Sequence, residues 1–221
     1  MAEDGAKRSR DAARSRAAIL DAAERLFAER GFAATTLGDI AAAAGLAHGT
    51  PSYFFGGKDA LYTEVLARVE STRAAALRDA FAPLQAWAAG PDGDADGLRH
   101  ALADAVDGYF AFLDANPTYA RLIEWEAQSG AERLGAVASH GAPVAEALRG
   151  VRAVGRKRGL ADFDPALASV ALVSMCFLPV AHAGTFQASS GLDTGDPAFR
   201  AAYAGVAVDA LMGILTGSPF S

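Results

Sequence analysis

Between residues 36 and 58 the chain concentrates side chains that can hydrogen-bond to a polar, anionic partner. They comprise hydroxyls, an imidazole, an ammonium group and one glycine with an accessible backbone: Thr36, His48, Gly49, Thr50, Ser52, Tyr53 and Lys58. Groups of this kind donate hydrogen bonds to phosphate oxygens and to the polar edges of bases. The segment therefore indicates binding chemistry, and the elements that position it decide what is bound.

Other candidate reactive groups lack the spacing that catalysis or metal binding needs. Cys176 and His182 fall on one predicted helix at a separation that points them in different directions, so they form no nucleophile–base pair. The histidines do not show metal-ligand spacing, and no glycine-rich phosphate loop occurs. The sequence predicts no catalytic residue, no metal site and no cofactor, which argues against an enzyme.

The acidic segment 92–97 resembles the first half of a calcium-binding loop. Such a loop requires Glu at its twelfth position, where this chain has Ala103. We therefore interpret the segment as a linker in which Asp96 caps the following helix.

Three short helices are predicted to carry the polar residues. Apolar residues recur at helical spacing and predict a first helix with one buried face: Ile19, Ala22, Ala23, Leu26 and Phe27. Arg30 and Gly31 end this helix, with Gly31 suited to the left-handed conformation. Thr36 and Asp39 form a capping box that begins a second helix from Leu37 to Ala44.

A sharp turn at Gly45 leads to a third helix, from about His48 to Phe54. Its small polar residues bury little and fit a major groove about 12 Å wide, which makes it a reading surface for double-stranded DNA. Thr50 and Ser52 are expected to reach base edges. Thr36, Tyr53 and Lys58 are expected to contact phosphates.

Residues 16–62 resemble the N-terminal domain of TetR-family transcriptional regulators. The resemblance rests on these positions: Ile19-Leu20, Ala22-Ala23, Leu26-Phe27, Glu29, Gly31-Phe32, Thr35-Thr36, Ile40-Ala41, Ala44-Gly45, Gly49-Thr50, Tyr53, Phe55, Lys58 and Leu61. The chain departs from the family at Ala47, where a Ser or Thr usually caps the third helix. The cap either shifts to His48 or is missing, at a cost of about 1 kcal/mol. Pro51 falls within the first turn, where a missing N–H is tolerated.

The rest of the chain also has a helical pattern and no useful β alternation. The predicted helices run from Lys58 toward Trp87, Leu98 to Ala115, Pro117 onward, Ala142 to Arg158, Pro165 to about Phe186, and Pro197 to Thr216. The predicted fold is all-α, with two domains. Residues 1–57 hold a basic arm and the three-helix bundle with its helix-turn-helix, and residues 58–221 form a larger helical ligand-binding and dimerisation domain.

The net charge of −6 is unevenly distributed. The first 58 residues are close to neutral and include a basic arm from Lys7 to Arg16. This arm is interpreted either as a solvated tail or as a segment that contacts DNA phosphates. A single cysteine and an N-terminus without an apolar stretch favour a reducing cytoplasm.

The stretch 165–184 is free of charge and resembles a short membrane span. Ser169, Ser174, Pro179 and His182 interrupt it, and a helix that meets both its own domain and a partner subunit has the same composition. We therefore expect a homodimer and no membrane partner.

The resemblance implies a dimeric transcriptional repressor that a small molecule releases from a palindromic operator. It also implies that the last two long helices pair with their copies in a four-helix interface. Large side chains in the middle helices are the candidate pocket residues: Tyr109, Phe112, Trp125, Met175, Phe177 and His182. The alternatives are a helical ligand-binding adaptor without DNA binding, and an enzyme on a helical fold.

Overall fold

The computed structural model describes residues 2–91, 93–137 and 142–217, and within these ranges the chain is helical without a β-strand. The helices are α1 (Ala2–Ala34), α2 (Leu37–Ala43), α3 (Thr50–Phe55), α4 (Lys58–Ala80), α5 (Ala82–Ala89), α6 (Ala95–Ala115), α7 (Pro117–Gln128), α8 (Glu132–Val137), α9 (Ala142–Gly155), α10 (Pro165–Ala181), α11 (Ala183–Ser190) and α12 (Pro197–Thr216). The prediction of an all-α chain is confirmed.

The chain divides into two compact units. The first consists of Met1–Ser71 with Thr118–Ala138, and the second of Thr72–Pro117 with Ser139–Ser221. Most of α7 and all of α8 therefore belong to the unit that contains the helix-turn-helix. The domain boundary expected between residues 57 and 58 stays a prediction.

In the first unit α1 begins at Ala2, so the basic residues expected to form an arm ahead of the first helix are part of it. Arg16 pairs with Glu64, and its guanidinium lies 4.8 Å from the centroid of the Phe55 ring. α1 is bent at Gly31, whose φ of 75° and ψ of 172° are conformations that only glycine adopts readily. The predicted end of the first helical segment is therefore confirmed, although the backbone there is not left-handed helical.

The predicted long helix from Lys58 toward Trp87 is wrong, because the structure breaks it at Phe81. Pro83 occupies the first turn of α5, where it lacks an N–H and restricts the residue before it. The buried Phe81 side chain anchors the break in the core.

The segment before α6 is a linker, as expected, but Asp94 rather than Asp96 caps the helix. Asp94 has an extended backbone, and its Oδ1 accepts a hydrogen bond from the Gly97 N–H at 2.7 Å. The Trp87 indole donates to the Asp94 carbonyl at 3.0 Å. The Arg158 guanidinium lies 4.5 Å from the Trp87 ring centroid, so the linker is held on the second unit.

The predicted apolar helix from Pro165 to Phe186 is also broken. α10 ends at Ala181, and α11 follows after a bend of 70°. Pro179 removes one backbone donor in the last turn of α10. The buried Thr194 hydroxyl donates to the Pro179 carbonyl at 2.6 Å, which fixes the bend.

The second unit is built around α6, which packs against α5, α10 and α12, while α9 packs against α5 and α10. Its core includes Leu102, Val106, Leu172 and Leu211, all fully buried. Among the described helices, α12 has the length and hydropathy of a membrane span, as does the bent pair α10 and α11 taken together. The core helices of globular proteins have the same composition.

We predict that Gly31→Ala destabilises the chain by more than the ~1–3 kcal/mol typical of a strained backbone conformation. A Cβ atom at position 31 would also lie 3.0 Å from the Trp125 ring. The free energy of unfolding in urea, followed by circular dichroism, measures the effect.

Gly45→Ala is the matched control. Gly45 also has a positive φ, of 68°, but a Cβ there meets nothing within 4 Å. It should cost only about 1–2 kcal/mol. Equal losses for the two variants would show that the Trp125 contact adds nothing.

Candidate nucleic-acid interface

The predicted capping box at the start of α2 is present. The Asp39 N–H donates to Thr36 Oγ1 at 3.1 Å, and the Thr36 N–H donates to Asp39 Oδ2 at 3.0 Å. The Thr36 hydroxyl donates to the same carboxylate at 2.6 Å. These bonds hold Thr36 at the exposed end of α2. Its hydroxyl hydrogen is already engaged in the hydrogen bond to Asp39.

Hydrogen bonds from the Thr36 side chain and backbone lower the pKa of Asp39. A carboxyl group whose pKa is lowered by folding stabilises the fold above its ordinary pKa of about 3.9. This contribution is lost as the pH falls through the lowered value. The box is therefore fully formed at neutral pH.

α3 is oriented by two buried residues, Pro51 and Phe55, which are four positions apart and lie on one face of the helix. The opposite face presents Ser52 and Tyr53, and the Tyr53 side chain is 84% exposed. Thr50 is half-buried. Helix α3 thus offers two exposed hydroxyl groups on a short, firmly anchored element.

The N-terminus of α3 has no side-chain cap. Gly49 is the N-cap residue, and the Thr50 N–H donates to the Ala47 carbonyl at 2.9 Å. His48 is exposed, with Nε2 against Gly38, where an added Cβ would lie 2.8 Å away. Of the two alternatives for this end, the missing cap is the one observed, and Pro51 lies in the first turn as expected.

Lys58 is engaged within the protein. Its ammonium donates to the carbonyls of Phe32 at 2.8 Å and Thr35 at 3.0 Å, and it lies 4.3 Å from the Phe32 ring centroid. A phosphate contact by this half-buried group would share or replace these bonds. The structure thus gives Lys58 a role in closing the end of α1 beside the role expected for it.

α7 and α8 clamp the same region from outside the helix-turn-helix. The Trp125 indole donates to the Ala28 carbonyl at 3.2 Å, and its ring lies against Gly31. Arg133 donates to Asp59 at 2.9 Å, and its guanidinium lies 4.1 Å from the centroid of the Phe32 ring. Two cations, from α4 and α8, therefore stabilise one aromatic ring.

Buried polar contacts complete this clamp. The Glu126 carboxylate, only 2% exposed, accepts from the Leu134 N–H at 2.9 Å. Burial, together with the neighbouring Glu126 charge, raises the pKa of Tyr62 well above its usual range. The Thr118 hydroxyl donates to Glu24 at 2.6 Å, and Glu24 also pairs with Arg68. The clamp ties α7 and α8 to both α1 and α4.

The chain matches two family profiles. Residues 19–65 match "Bacterial regulatory proteins, tetR family", and residues 99–211 match "Tetracyclin repressor-like, C-terminal domain". The chain belongs to the TetR family. The helix-turn-helix of α2 and α3 is accordingly the DNA-binding element of a transcriptional regulator. No curated protein sequence matches the chain significantly.

Solved structures share the fold of this TetR-family chain over nearly its whole length. A TetR family transcription regulator from Marinobacter aquaeolei VT8 is 24% identical, with a TM-score of 0.65, 92% of this chain covered and 97% of the other. The fatty acid degradation regulator FadR from Bacillus halodurans is 18% identical, with a TM-score of 0.65 and coverages of 90% and 95%.

FadR from Bacillus subtilis, in complex with stearoyl-CoA, is 16% identical, with a TM-score of 0.63 and coverages of 86% and 96%. At these identities the likeness establishes the fold.

Five of the six candidate pocket residues belong to the second unit, and Trp125 belongs to the first. Tyr109 and Phe112 are buried on α6, with ring centroids 6.3 Å apart. Met175 and Phe177 are half-buried on α10, and His182 is exposed at its end. Trp125 belongs to the other unit, where it contacts Ala28 and Gly31. A pocket lined by these residues stays a prediction.

Sequence reasoning missed the clamp residues Arg133 and Glu126. Arg133 binds Asp59, which lies 74 positions earlier in the chain, so no local sequence pattern predicts the pair. Gly130, with a φ of 84°, marks the turn that begins α8 and was the available signal for a further helix.

We predict that Thr36→Ala lowers the free energy of unfolding by about 1 kcal/mol, because it removes the oxygen that accepts the Asp39 N–H. Thr36→Ser is the control, since it keeps a hydroxyl at the same position. Urea unfolding of the three proteins measures the difference, and a Thr36→Ser variant as unstable as Thr36→Ala would contradict a role for the hydroxyl.

Proposed function

We propose that this TetR-family chain is a homodimeric repressor that binds a palindromic operator. It dissociates from the operator when a small, largely apolar ligand binds to the helical domain that follows residue 58. The outer face of α3 carries the proposal. It presents Ser52 and Tyr53 to solvent on a helix whose inner face is anchored by Pro51 and Phe55.

The polar groups of this face suit the two kinds of contact made in a major groove. Ser52, with Thr50 beside it, is small enough to approach base edges. Tyr53 stands at the end of the helix, where a phenol reaches the DNA backbone. His48 and Gly49 directly precede the helix and belong to the proposed interface. Thr36 and Lys58 also belong to it, but each would have to share or exchange a hydrogen bond that it makes within the protein in order to bind a phosphate.

We expect Tyr53→Ala to weaken dimer binding to an operator, obtained by selection from random duplexes, by about tenfold for each half-site, or about a hundredfold in all, because it removes one phosphate contact in each half-site. Tyr53→Phe keeps the ring and removes only the hydroxyl, so it separates hydrogen bonding from packing. Fluorescence anisotropy with labelled operator measures the affinities. Unchanged affinity in both variants would remove Tyr53 from the interface.

Lys58 requires a different readout, because it also stabilises the end of α1. If Lys58 binds a phosphate, Lys58→Met lowers the slope of log affinity against log salt by about 0.9 for each subunit, or about 1.8 for the dimer. If its role is only structural, the free energy of unfolding falls and the slope stays unchanged.

The second helical unit exposes an apolar surface that suits a partner subunit. Leu167 and Val170 on α10 are 71% and 65% exposed, and Val206 on α12 is 63% exposed. α10 and α12 pack against each other, so these side chains lie on adjacent helices. An apolar face of this kind in a transcriptional regulator supports dimerisation through α10 and α12.

We predict that Val206→Glu converts the dimer into a monomer that has lost operator affinity, because it places a charge in an apolar interface. Val206→Thr keeps the volume without a charge and should remain dimeric. Sedimentation equilibrium at micromolar concentration gives the masses. A wild-type monomer, or wild-type protein recovered with lipid vesicles, would contradict the proposed dimer.

The proposed ligand has an apolar body, because the residues suggested for its pocket in the second unit are aromatic or contain sulfur. The stearoyl-CoA bound by FadR from Bacillus subtilis is compatible with such a ligand on this fold. Ligand and operator must weaken each other's binding by the same factor, typically about 5–150-fold.

A further inference from the structure

Arg200, on α12, holds a buried nitrogen without a hydrogen-bond partner. Its Nη1 atom is inaccessible to solvent and meets no acceptor among the residues that the structure describes. A guanidinium carries five N–H donors, and buried donors in native proteins are nearly always paired. An unpaired one marks a place where a ligand or an ordered water belongs.

The other nitrogens of Arg200 fix the direction of the guanidinium. Nε donates to the Thr194 carbonyl, and Nη2 lies 3.3 Å from Asp114 Oδ1. The Thr194 side chain is itself buried and bonded to the Pro179 carbonyl. Nε and Nη2 of Arg200 therefore each have a partner, and Nη1 is the nitrogen that lacks one.

The surroundings of the guanidinium are apolar and aromatic. Its carbon lies 4.8 Å from the Phe110 ring centroid, and Tyr203 packs edge-on against Phe110 and stacks on Phe199. Cys176, fully buried, is near enough for the Arg200 charge to oppose the effect of desolvation on its pKa. A cation in such a place is stabilised by an anion more strongly than one in water.

Among the residues that the structure describes, Asp114 is the one carboxylate paired with Arg200, and it neutralises the Arg200 charge incompletely. Asp114 is 60% exposed and its contact with Nη2 is long, so water screens much of the attraction. A second, buried acceptor at Nη1 would meet the N–H groups of that nitrogen. One guanidinium balances one negative charge, which favours a monoanion over a doubly charged phosphate.

An open cleft of about 480 Å³ lies farther along the same stripe of α12, and Arg200 itself is not one of its lining residues. Ala204 and Val208 line it, and they follow Arg200 at four-residue spacing on one helical face. Asp107, Asp209, Arg99 and His100 also border the cleft. A carboxylate within the cleft would face the Asp107 charge, whereas a carboxylate beside Arg200 meets a cation.

We propose that the ligand is a monocarboxylate with an apolar body, whose carboxylate binds Arg200 Nη1 and whose body lies along Ala204 and Val208 between α6 and α12. This assignment rests on the proposed function and names the chemical class of its effector. It places the acid-binding group at a residue outside the six that sequence reasoning selected.

The test compares hexanoate, octanoate, decanoate and 3-phenylpropionate with the alcohols of matching carbon skeleton. Isothermal titration calorimetry on the full-length chain gives their affinities. At least one acid should bind about tenfold or more tightly than its alcohol, since a hydrogen bond to a charged group is worth that much. Arg200→Gln should abolish the difference, and Arg200→Lys should reduce it while keeping the charge.

Arg99→Gln is the matched control, because Arg99 is an exposed arginine on the cleft that pairs with Asp209. It should leave the preference for acids unchanged. Acids that bind no better than alcohols, an absence of binding, or an equal loss in Arg99→Gln and Arg200→Gln would each overturn the assignment. If Arg200→Gln fails to fold, the comparison of Arg200→Lys with Arg99→Gln decides.

Operator binding is measured separately on the same proteins. Acid binding at Arg200 without operator release leaves the site standing and contradicts the proposed switch. Operator release by neutral ligands alone leaves the switch standing and contradicts the site.

Discussion

The Trp125 ring lies against the Gly31 backbone, and the presentation of α3 depends on this contact. A side chain at position 31 is excluded by the 3.0 Å approach of the ring and by a φ of 75°. The bend at Gly31 sets the direction in which the chain leaves α1 for the Thr36 cap. α3 follows α2 through the turn at Gly45. A change in backbone direction at Gly31 would therefore also change the orientation of α3.

Four cations of the first unit help to hold its helices together. Arg16, Lys58, Arg68 and Arg133 each make ion pairs, carbonyl contacts or contacts with aromatic rings inside the protein. The charges of these four residues therefore serve to hold the helices of the unit in place. The outer face of α3 meanwhile presents hydroxyl groups.

The helix-turn-helix was predictable because its signals are local. The capping box at Thr36, the turn at Gly45 and the inward stripe of α1 are each set by residues within a few positions of one another. The breaks at Phe81 and His182 were not predicted, because apolar periodicity continues across both and a single proline is tolerated near a helix terminus. The contacts of Arg133 and Glu126 could not be predicted from local sequence patterns, since their partners lie farther away along the chain. The buried nitrogen of Arg200 likewise exists only once α6 and α12 are packed.

The proposed homodimer presents two copies of α3 to one operator. A DNA-cleaving reagent attached through Ser52→Cys tests it directly, because the native Cys176 is buried and desolvation raises the pKa of its thiol to about 12, which keeps it unreactive. On the selected operator, the account predicts two symmetric cleavage centres in the major groove, separated by about one helical turn, roughly 34–36 Å, or a small multiple of it. A single centre, or cleavage spread evenly along the duplex, would contradict it.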